Sequence, residues 1–549
     1  MRKRWICLMV WLATAAACAG AAQPQFAALS GVVLNDATGT PLRRAVVTLS
    51  TVDPPHLEAV TFTESNGAFG FIAIPPGNYR LRAGFDGFER AWFGARDPLR
   101  PPGTLKLAAG DNRYGITFRL LPLASISGTV MDADGDPVQN VQVHLLKSTW
   151  RRLKPAYVNQ GSAYTDDRGQ YRLDKVVPGE YIVMAAQSNE VIATTSEVAV
   201  GQPTNEKIYA EQFYPDASRP LDAAPLQIGG GETREGIDFH LTPRAMARLH
   251  GTIVLPHEVT RSHGVRITVY PQQLPEGSNQ VSAMTGTRGG DEFEITNVIA
   301  GSYVVVAALN NGDRDYSAME RIDLPPGGLE LTLHMEPDPD VSGRVDLEGG
   351  EHPQEGFRVA LISGGDRPGY QRHDAVVKAD GTFTVKNVPP GIWDISVQPL
   401  PPGGFIKSMR LGDQDVLTED MTIQSDTHDP LNIVVSARGG VIDGTVTVPK
   451  GLARSPRASV LLAPDGKFAN VLSFYRHAFA DDSGHFQMKG IRPGRYKLYA
   501  FEELDPEAFE DPGFLKPYAE RGQAFDIAEG SHVNRETELI PLAKQAPAR

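Results

Sequence analysis

Two aromatic rings flank a glycine at one fixed spacing five times along this chain of 549 residues. In each copy the first ring lies eight residues before the glycine, and the second ring lies two residues after it. The five copies are Phe69, Gly77 and Tyr79; Tyr171, Gly179 and Tyr181; Phe293, Gly301 and Tyr303; Phe383, Gly391 and Trp393; and Phe486, Gly494 and Tyr496. Such repetition predicts tandem modules of about 100 residues, each burying its own core, rather than one large core.

The repeated segment has the pattern of two strands joined by a tight turn. In the first copy Phe69 and Phe71 alternate with other residues, and Tyr79 and Leu81 do the same after the turn. Alternation with period two places one face of a strand on a core. A Pro-Gly pair lies between the strands, so we expect the proline to fix φ and Gly77 to take a positive φ.

Each repeat is preceded by a strand that carries a glycine. These opening glycines are Gly31, Gly128, Gly251, Gly343 and Gly444. A further strand lies between each opening glycine and its first ring, and a closing strand such as residues 115–120 follows. Short alternating strands with frequent turns indicate an all-β chain of antiparallel sandwiches. We predict a leader over residues 1–22 and then modules 1 to 5 at residues 27–124, 125–246, 247–338, 339–440 and 441–549.

The order of the short motifs resembles a known family. In module 1, residues 30–33 read S-G-V-V and residues 75–79 read P-P-G-N-Y. The motif that lies between these two is clearest in module 5, where residues 481–486 read D-D-S-G-H-F. This pattern resembles the carboxypeptidase regulatory-like domain. The resemblance implies a transthyretin-like (prealbumin-like) sandwich of about seven antiparallel strands, grouped with starch-binding-like and collagen-adhesin B-type modules. Because the family occurs as accessory modules and as secreted arrays, the resemblance predicts the fold more closely than the function.

The first residues have the composition of an export signal. Residues 2–4 are basic, residues 5–16 are apolar, and residues 17–22 are small. This order predicts a signal peptide and an extracytoplasmic location, in the periplasm or at the cell surface. The same stretch also resembles a lipoprotein cleavage box, which would place a lipid on Cys18. Cys7 and Cys18 are the two cysteines of the chain, so the modules are predicted to fold without disulfides. No other stretch is predicted to cross a membrane.

Charge and motifs argue against catalysis. The net charge of −13 does not favour nucleic acid as a partner. Residues 352–355 read H-P-Q-E, but a zinc site needs a third ligand. Asp132, Asp134 and Asp136 resemble a calcium loop, yet Val143 stands where its glutamate belongs, so a solvated turn is the preferred interpretation. We predict a protein that is not an enzyme, with no catalytic residue, metal or cofactor.

Aromatic side chains outside the repeats are the remaining candidates for ligand contact, since rigid rings suit binding sites. Six are candidates: Trp92, Phe93, Trp150, Phe213, Tyr214 and Tyr370. The pairs at 92–93 and 213–214 occupy matching positions before a closing strand, which favours packing within a module over ligand contact. Trp150 and Tyr370 are placed in irregular loops.

Two functions fit these observations. The first is a binding or adhesion array at the cell envelope, with a glycan or an envelope protein as partner and carbohydrate as one candidate ligand. The second is a structural spacer or scaffold of the envelope without a small-molecule ligand. A monomer is expected in either case.

Overall fold

A computed structural model describes the chain over most of its length. The described residues are 26–94, 103–151, 153–187, 208–244, 246–257, 259, 264–272, 283–287, 290–348, 356–364, 367–368, 371–450, 458–481, 483–502, 504 and 508–541. Every regular element in these residues is a β-strand or a single 3-10 turn, so the predicted all-β class is confirmed. The chain divides into two compact units, Met1–Leu121 and Pro122–Arg549. The leader with Cys18, residues 352–355 and Tyr370 lie outside the described residues.

Module 1 is built from two sheets around one core. Its strands are β1 (Ala27–Asn35), β2 (Val46–Thr51), β3 (Glu58–Phe62), β4 (Ala68–Ile74), β5 (Gly77–Gly84), β6 (Ala91–Trp92), β7 (Leu105–Leu107) and β8 (Asn112–Leu120). One sheet has the order β4-β1-β8, and the other has the order β3-β2-β5, with β6 and β7 both pairing with β5. Leu81 and Val47 from one sheet and Val33 from the other are fully buried in this core.

Modules 2 and 3 repeat the arrangement. Module 2 contains β9 (Ala124–Asp132), β10 (Val141–Arg151), β11 (Lys154–Tyr164), β12 (Gln170–Val176), β13 (Gly179–Gln187), β14 (Ile208–Tyr209), β15 (Gln212–Phe213), a 3-10 turn (Pro220–Asp222), β16 (Leu226–Ile228), β17 (Thr233–Arg234), β18 (Phe239–Leu241) and β19 (Pro243–Arg244). Module 3 contains β20 (Met246–Val254), β21 (Arg266–Pro271), β22 (Ala283–Gly286), β23 (Glu292–Ile299), β24 (Gly301–Leu309), β25 (Tyr316–Leu324), β26 (Leu329–His334) and β27 (Glu336–Pro337). In both, the opening strand (β9 or β20) pairs with the first strand of the repeat, whereas the second strand of the repeat lies in the other sheet.

Modules 4 and 5 differ in how their sheets join. Module 4 contains β28 (Val341–Leu347), β29 (Arg358–Ser363), β30 (Arg372–Val376), β31 (Thr382–Val385), β32 (Gly391–Gln398), β33 (Phe405–Leu411), β34 (Gln414–Asp415), β35 (Met421–Ile423) and β36 (Leu431–Ser436), in the orders β31-β28-β36-β33-β34 and β30-β29-β32-β35. Module 5 contains β37 (Gly440–Thr447), β38 (Ser459–Pro464), β39 (Arg476–Phe479), β40 (His485–Ile491), β41 (Gly494–Phe501), β42 (Gln523–Ile527) and β43 (His532–Ile540). Its 3-10 turns are Gly466–Phe468, Leu472–Phe474, Ala508–Glu510 and Lys516–Tyr518. Parallel pairing of β41 with β43 joins its strands into a single sheet of seven.

The opening glycine of each module lies directly across the ladder from the first ring of its repeat. The pairs are Gly31 with Phe69, Gly128 with Tyr171, Gly251 with Phe293, Gly343 with Phe383, and Gly444 with Phe486. A Cβ on Gly31 would lie 2.8 Å from the Phe69 ring and 2.0 Å from the carbonyl oxygen of Ile116. Glycine is therefore required because the ring lies over the strand where a side chain would otherwise project.

The second ring of each repeat holds its own turn. The Tyr79 hydroxyl donates to the carbonyl oxygen of Pro75 at 2.7 Å, and the second rings of the other four copies also donate to the carbonyl four residues earlier. The expected positive φ at Gly77 is wrong, since Gly77 has none. A Cβ there would instead lie 3.4 Å from the Tyr79 ring, so the turn glycine makes room for the ring. Positive φ occurs at the glycine before the first ring, as at Gly67 (φ 74°).

Candidate functional site

Module 1 has one sheet face that is open to solvent. In β2, Val47 points into the core and is fully buried, whereas its neighbour Val46 lies on the opposite face and is 39% exposed. The register places Val46 opposite Phe62 of β3, and Phe62 is 62% exposed. We call this surface the outer face of module 1. Its exposed members are Val46, Val60 and Phe62, its half-buried members are Arg82 and Trp92, and Thr48 between them is buried.

One row of the outer face runs across four strands. Val60 pairs with Thr48, Thr48 pairs with Arg82, and Arg82 pairs with Trp92. The Arg82 guanidinium lies 5.7 Å from the centre of the Trp92 ring, and its Nη2 lies 3.8 Å from Oε1 of Glu58. The row therefore presents an apolar ring beside a cation and a carboxylate. Such a combination can contact an apolar surface and form hydrogen bonds at the same time.

The aromatic pair at 92–93 splits between the two faces of its sheet. Ala91 and Phe93 pack against the core of module 1, and the Phe93 amide donates to the carbonyl oxygen of Leu81 at 2.8 Å. Because side chains alternate along an extended segment, Trp92 projects to the outer face. The structure therefore brings Trp92 to a surface and gives Phe93 a packing role.

The equivalent face of module 2 is closed. Phe213 occupies the position of Trp92 and pairs with Met184. It is 2% exposed and belongs to a buried apolar cluster on this face. Tyr214 points to the other side, where its ring lies 6.2 Å from that of Phe239 in an edge-on arrangement. Both rings of this pair are therefore used in packing.

Trp150 does not lie in an irregular loop, as expected from the sequence. It belongs to β10, where it is half-buried and pairs with Pro155 of β11. The sequence missed this strand extension because β10 and β11 each continue for 11 residues, well beyond the strand of the repeat unit.

The aspartate-rich segment of module 2 forms a turn. Oδ1 of Asp132 accepts hydrogen bonds from the amides of Asp134 and Asp136 at 2.9 and 3.0 Å. The Tyr209 hydroxyl donates to Oδ2 at 3.3 Å, and Asp132 is only 3% exposed. These bonds use both carboxylate oxygens for local structure. In the part of the chain that the structure describes, no three His, Cys, Asp or Glu side chains come together as metal ligands. Across the same residues, no helix has the length and apolar character needed to cross a membrane.

Exposed apolar residues on the edge strand β3 were not anticipated from the sequence. Val60 and Phe62 alternate with Ala59 and Thr61, a pattern that the sequence analysis would assign to a core-facing strand. Here the alternation faces solvent, with Val60 55% exposed. No local pattern distinguishes an edge strand from a central one, because strand order depends on long-range pairing.

A match to a protein-family model agrees with the fold. The model of the carboxypeptidase regulatory-like domain matches residues 28–120 and 125–210. No curated protein matches the chain. Among solved structures, the Streptococcal ancillary pilin is 10% identical, covering 56% of this chain and 98% of its own, with a TM-score of 0.22. The Bacillus anthracis TIE protein is 10% identical, covering 71% and 67%, with a TM-score of 0.15. The minor pilin GBS52 of Streptococcus agalactiae is 14% identical, covering 43% and 99%, with a TM-score of 0.20.

TM-scores this low carry no inference about function. The family match is specific, because it covers the opening strand, the repeat and the closing strand of module 1 together. The predicted resemblance to the carboxypeptidase regulatory-like domain is confirmed for residues 28–120 and 125–210.

Proposed function

We propose that this chain is a non-catalytic extracytoplasmic scaffold, in which contacts between modules 3 and 4 and between modules 4 and 5 hold these sandwiches in a fixed orientation. The division into five modules at the predicted boundaries is part of this proposal, and five separate hydrophobic cores in the described residues support it. One observation carries it: Phe474, which lies in module 5, is a member of the hydrophobic core of module 4.

Phe474 joins two modules through buried apolar surface. Its side chain is 6% exposed and shares a core cluster with Trp393 and Ile433 of module 4. Phe468 and Val471, from the same segment of module 5, pack half-buried against that cluster. Burying a phenylalanine contributes about 1.5–3 kcal/mol, enough to oppose free rotation about a short linker.

Polar contacts also link module 4 to module 5. Nη1 of Arg492 in module 5 donates to the carbonyl oxygens of Ile406 and Lys407 in module 4, at 3.0 and 2.8 Å. Lys407 Nζ and Arg438 Nη2 of module 4 lie 3.4 and 3.0 Å from the carboxylate of Glu529 in module 5. Directional bonds from two sides fix the orientation as well as the distance of the two modules.

A fourth charged residue joins the group formed by Lys407, Arg438 and Glu529. Glu348 of module 4 forms ion pairs with both Lys407 and Arg438, so two carboxylates face two cations. The hydrogen bond from Lys407 holds the pKa of Glu348 well below its usual range, at about 2. Glu348 is therefore ionised near neutral pH.

A hydrogen bond also joins module 3 to module 4. The Asp315 amide of module 3 donates to Oδ1 of Asn387 in module 4 at 3.3 Å. The Asn387 amide in turn donates to Oδ1 of Asp340 at 3.0 Å. Close to it, the Ser317 hydroxyl donates to the buried carboxyl of Asp338 at 2.5 Å. The Asp315–Asn387 bond crosses the junction, whereas the other two bonds lie within module 4 and within module 3 and support the segments beside it. The crossing bond supports the same role, since a spacer requires joints that resist bending.

A distance measurement by pulsed electron spin resonance tests the scaffold. Spin labels go on Val376→Cys in module 4 and Asn534→Cys in module 5, both exposed, with the natural Cys7 and Cys18 replaced by Ser. We expect one narrow distance distribution, and Phe474→Ala should broaden it. Arg495→Ala is the matched control, because Arg495 pairs within module 5 with Asp465. A broad distribution in the otherwise unchanged chain would contradict the scaffold.

A second candidate function is ligand binding at the outer face of module 1. The observation that favours it is the half-buried Trp92–Arg82 pair beside Glu58, since sugars are bound by ring faces flanked by polar groups. A glycan-array screen of the secreted protein tests carbohydrate as the ligand, and an envelope protein is the other partner class. Absence of any glycan hit with intact folding would favour the scaffold over carbohydrate binding.

The extracytoplasmic location rests on the basic-apolar-small order of the first 22 residues. Mass spectrometry of the secreted protein's N-terminus tests it. Cleavage within residues 17–22 supports export, and a lipid on Cys18 would add anchoring to a membrane. An intact Met1 in the mature protein would contradict export.

A further inference from the structure

We propose that strand β3 of module 1 pairs with β3 of a second copy of this chain, around a two-fold axis at Val60. The proposal concerns an edge, and it is separate from the junctions that carry the scaffold. In the described residues β3 pairs with β2 alone and ends its sheet. A free edge presents unpaired amide and carbonyl groups to any strand that approaches it.

The hydrogen-bond ladder shows which backbone groups of β3 are free. The Thr63 amide donates to the carbonyl oxygen of Ala45 at 3.0 Å, and the Thr51 amide donates to that of Leu57 at 3.0 Å. In an antiparallel pair, hydrogen-bonded positions alternate with positions whose groups point away. Residues 57 and 63 are bonded to β2. Residues 59 and 61 are therefore bonded to it as well, because they are separated from 57 and 63 by an even number of positions. The outward positions are therefore 58, 60 and 62.

The side chains at these outward positions are unusually apolar for an exposed edge. Val60 is 55% exposed and Phe62 is 62% exposed, while Val46 beside Phe62 is 39% exposed. Edge strands are normally protected by lysine, proline or a bulge. Residues 58–62 contain no lysine and no proline, and their only charge is Glu58. Edge strand β30 of module 4 shows the usual protection, with three polar residues at 372–374.

Pairing of all three outward positions selects a single register, in which β3 is complementary to itself, and this self-complementarity identifies a second copy as the occupant. With the axis at Val60, the two Val60 side chains lie opposite each other, and Glu58 of each copy lies opposite Phe62 of the other. All three outward positions are then paired, and no like charges face each other. Sliding one strand by one hydrogen-bonded position, which is two residues, would in one direction place Glu58 opposite Val60 and leave Phe62 without a partner residue in β3. A shift in the other direction would leave Glu58 without a partner residue in β3.

The same register joins the outer faces. A two-fold axis perpendicular to the sheet keeps both outer faces on one side, so Phe62 and Val46 of each copy line a single apolar surface. The result is one continuous sheet with twice the five strands of the sheet that contains β3. An edge contact of this size is smaller than a standard stable interface, so we expect a concentration-dependent dimer rather than an obligate one.

Sedimentation velocity of the full secreted chain over a concentration series tests the proposal. We expect the unchanged protein to shift from monomer to dimer as concentration rises. Val60→Lys places two ammonium groups opposite each other at the axis and should weaken association about tenfold or more. Val376→Lys on β30 is the matched control, since Val376 is also an exposed valine on an edge strand, and it should associate like the unchanged protein.

A charge swap distinguishes this register from any other contact. Val60→Glu alone should be as monomeric as Val60→Lys, whereas an equal mixture of the two variants should dimerise again. Far-ultraviolet circular dichroism should be the same for all variants, because residue 60 is exposed. A monomer at every concentration, full association of Val60→Lys, or no rescue in the mixture would each overturn the proposal.

Discussion

The guanidinium of Arg492 lies 4.9 Å from the centre of the Phe474 ring, and together these two side chains of module 5 close the core of module 4. Burial lowers the pKa of Arg492, but its guanidinium donates to two carbonyl oxygens of module 4 and so remains bonded on the buried side. Modules 4 and 5 therefore share a stabilising element, although the repeat pattern suggested that each module would fold independently.

Phe474→Ala should destabilise modules 4 and 5 together. Removing a buried phenylalanine costs about 3–5 kcal/mol, and here the cavity opens in the core of the neighbouring module. Hydrogen-exchange mass spectrometry should show faster exchange in β28 and β36 of module 4 as well as in module 5. Phe239→Ala in module 2 is the control and should leave β28 and β36 unchanged. Unaltered exchange in module 4 of the Phe474 variant would show that the ring does not couple the modules.

Gly343→Ala should destabilise module 4 through a steric clash. A Cβ on Gly343 would lie 2.0 Å from the carbonyl oxygen of Leu431 and 2.7 Å from the Phe383 ring. Overpacking of this kind costs about 1–3 kcal/mol or more. The control is Gly161→Ala on β11, where a Cβ meets nothing within 4 Å. Thermal denaturation of both variants checks the prediction, and equal midpoints would contradict the proposed reason for the opening glycine.

Asp338→Asn should stabilise the protein at neutral pH and have little effect in acid. Burial raises the pKa of Asp338 to about 6, while the Ser317 hydrogen bond and Arg367 act in the opposite direction. The folded chain therefore keeps a proton that the unfolded chain releases above pH 4. The contribution of this group to the free energy of unfolding falls as pH rises from about 4 to 6. Asparagine removes that loss, so the free energy of unfolding should be higher by on the order of 2 kcal/mol above pH 6.

Urea denaturation of both proteins between pH 4 and pH 8 measures this difference. Asp380→Asn provides a contrast of opposite sign, because hydrogen bonds from Thr382 lower the pKa of the exposed Asp380. That carboxylate contributes stability above its unfolded pKa, so its removal should destabilise at neutral pH and matter least in acid. A difference between Asp338→Asn and the unchanged protein that stays constant with pH would refute the argument.

Trp92→Ala should abolish ligand binding at the outer face of module 1 without unfolding the module. Trp92 lies on the solvent side of the sheet and contacts Arg82, so its loss removes little core surface. Phe93→Ala is the control, since Phe93 packs on the core and should lower the melting temperature. Any glycan or protein hit of the unchanged chain is then measured against both variants, and a hit retained by Trp92→Ala places the binding site elsewhere.

The sequence by itself determined the strands, their turns and which side chains form the cores. Phe69, Tyr79 and their counterparts were predicted to be buried, and they are, because alternation along a strand is a local property. The reason for the glycines was only partly accessible. Gly77 was assigned to a backbone conformation, whereas the folded chain requires it for contact with the Tyr79 ring.

Only the tertiary structure decided what covers each sheet face. Trp92 and Phe213 hold matching positions in the sequence, yet Trp92 is half-buried on a partly exposed face and Phe213 is buried. Likewise no local pattern places Phe474 in the core of the preceding module or β3 at an edge. Burial of an outward-facing residue depends on segments distant in the chain, and local alternation carries no information about which segments arrive there.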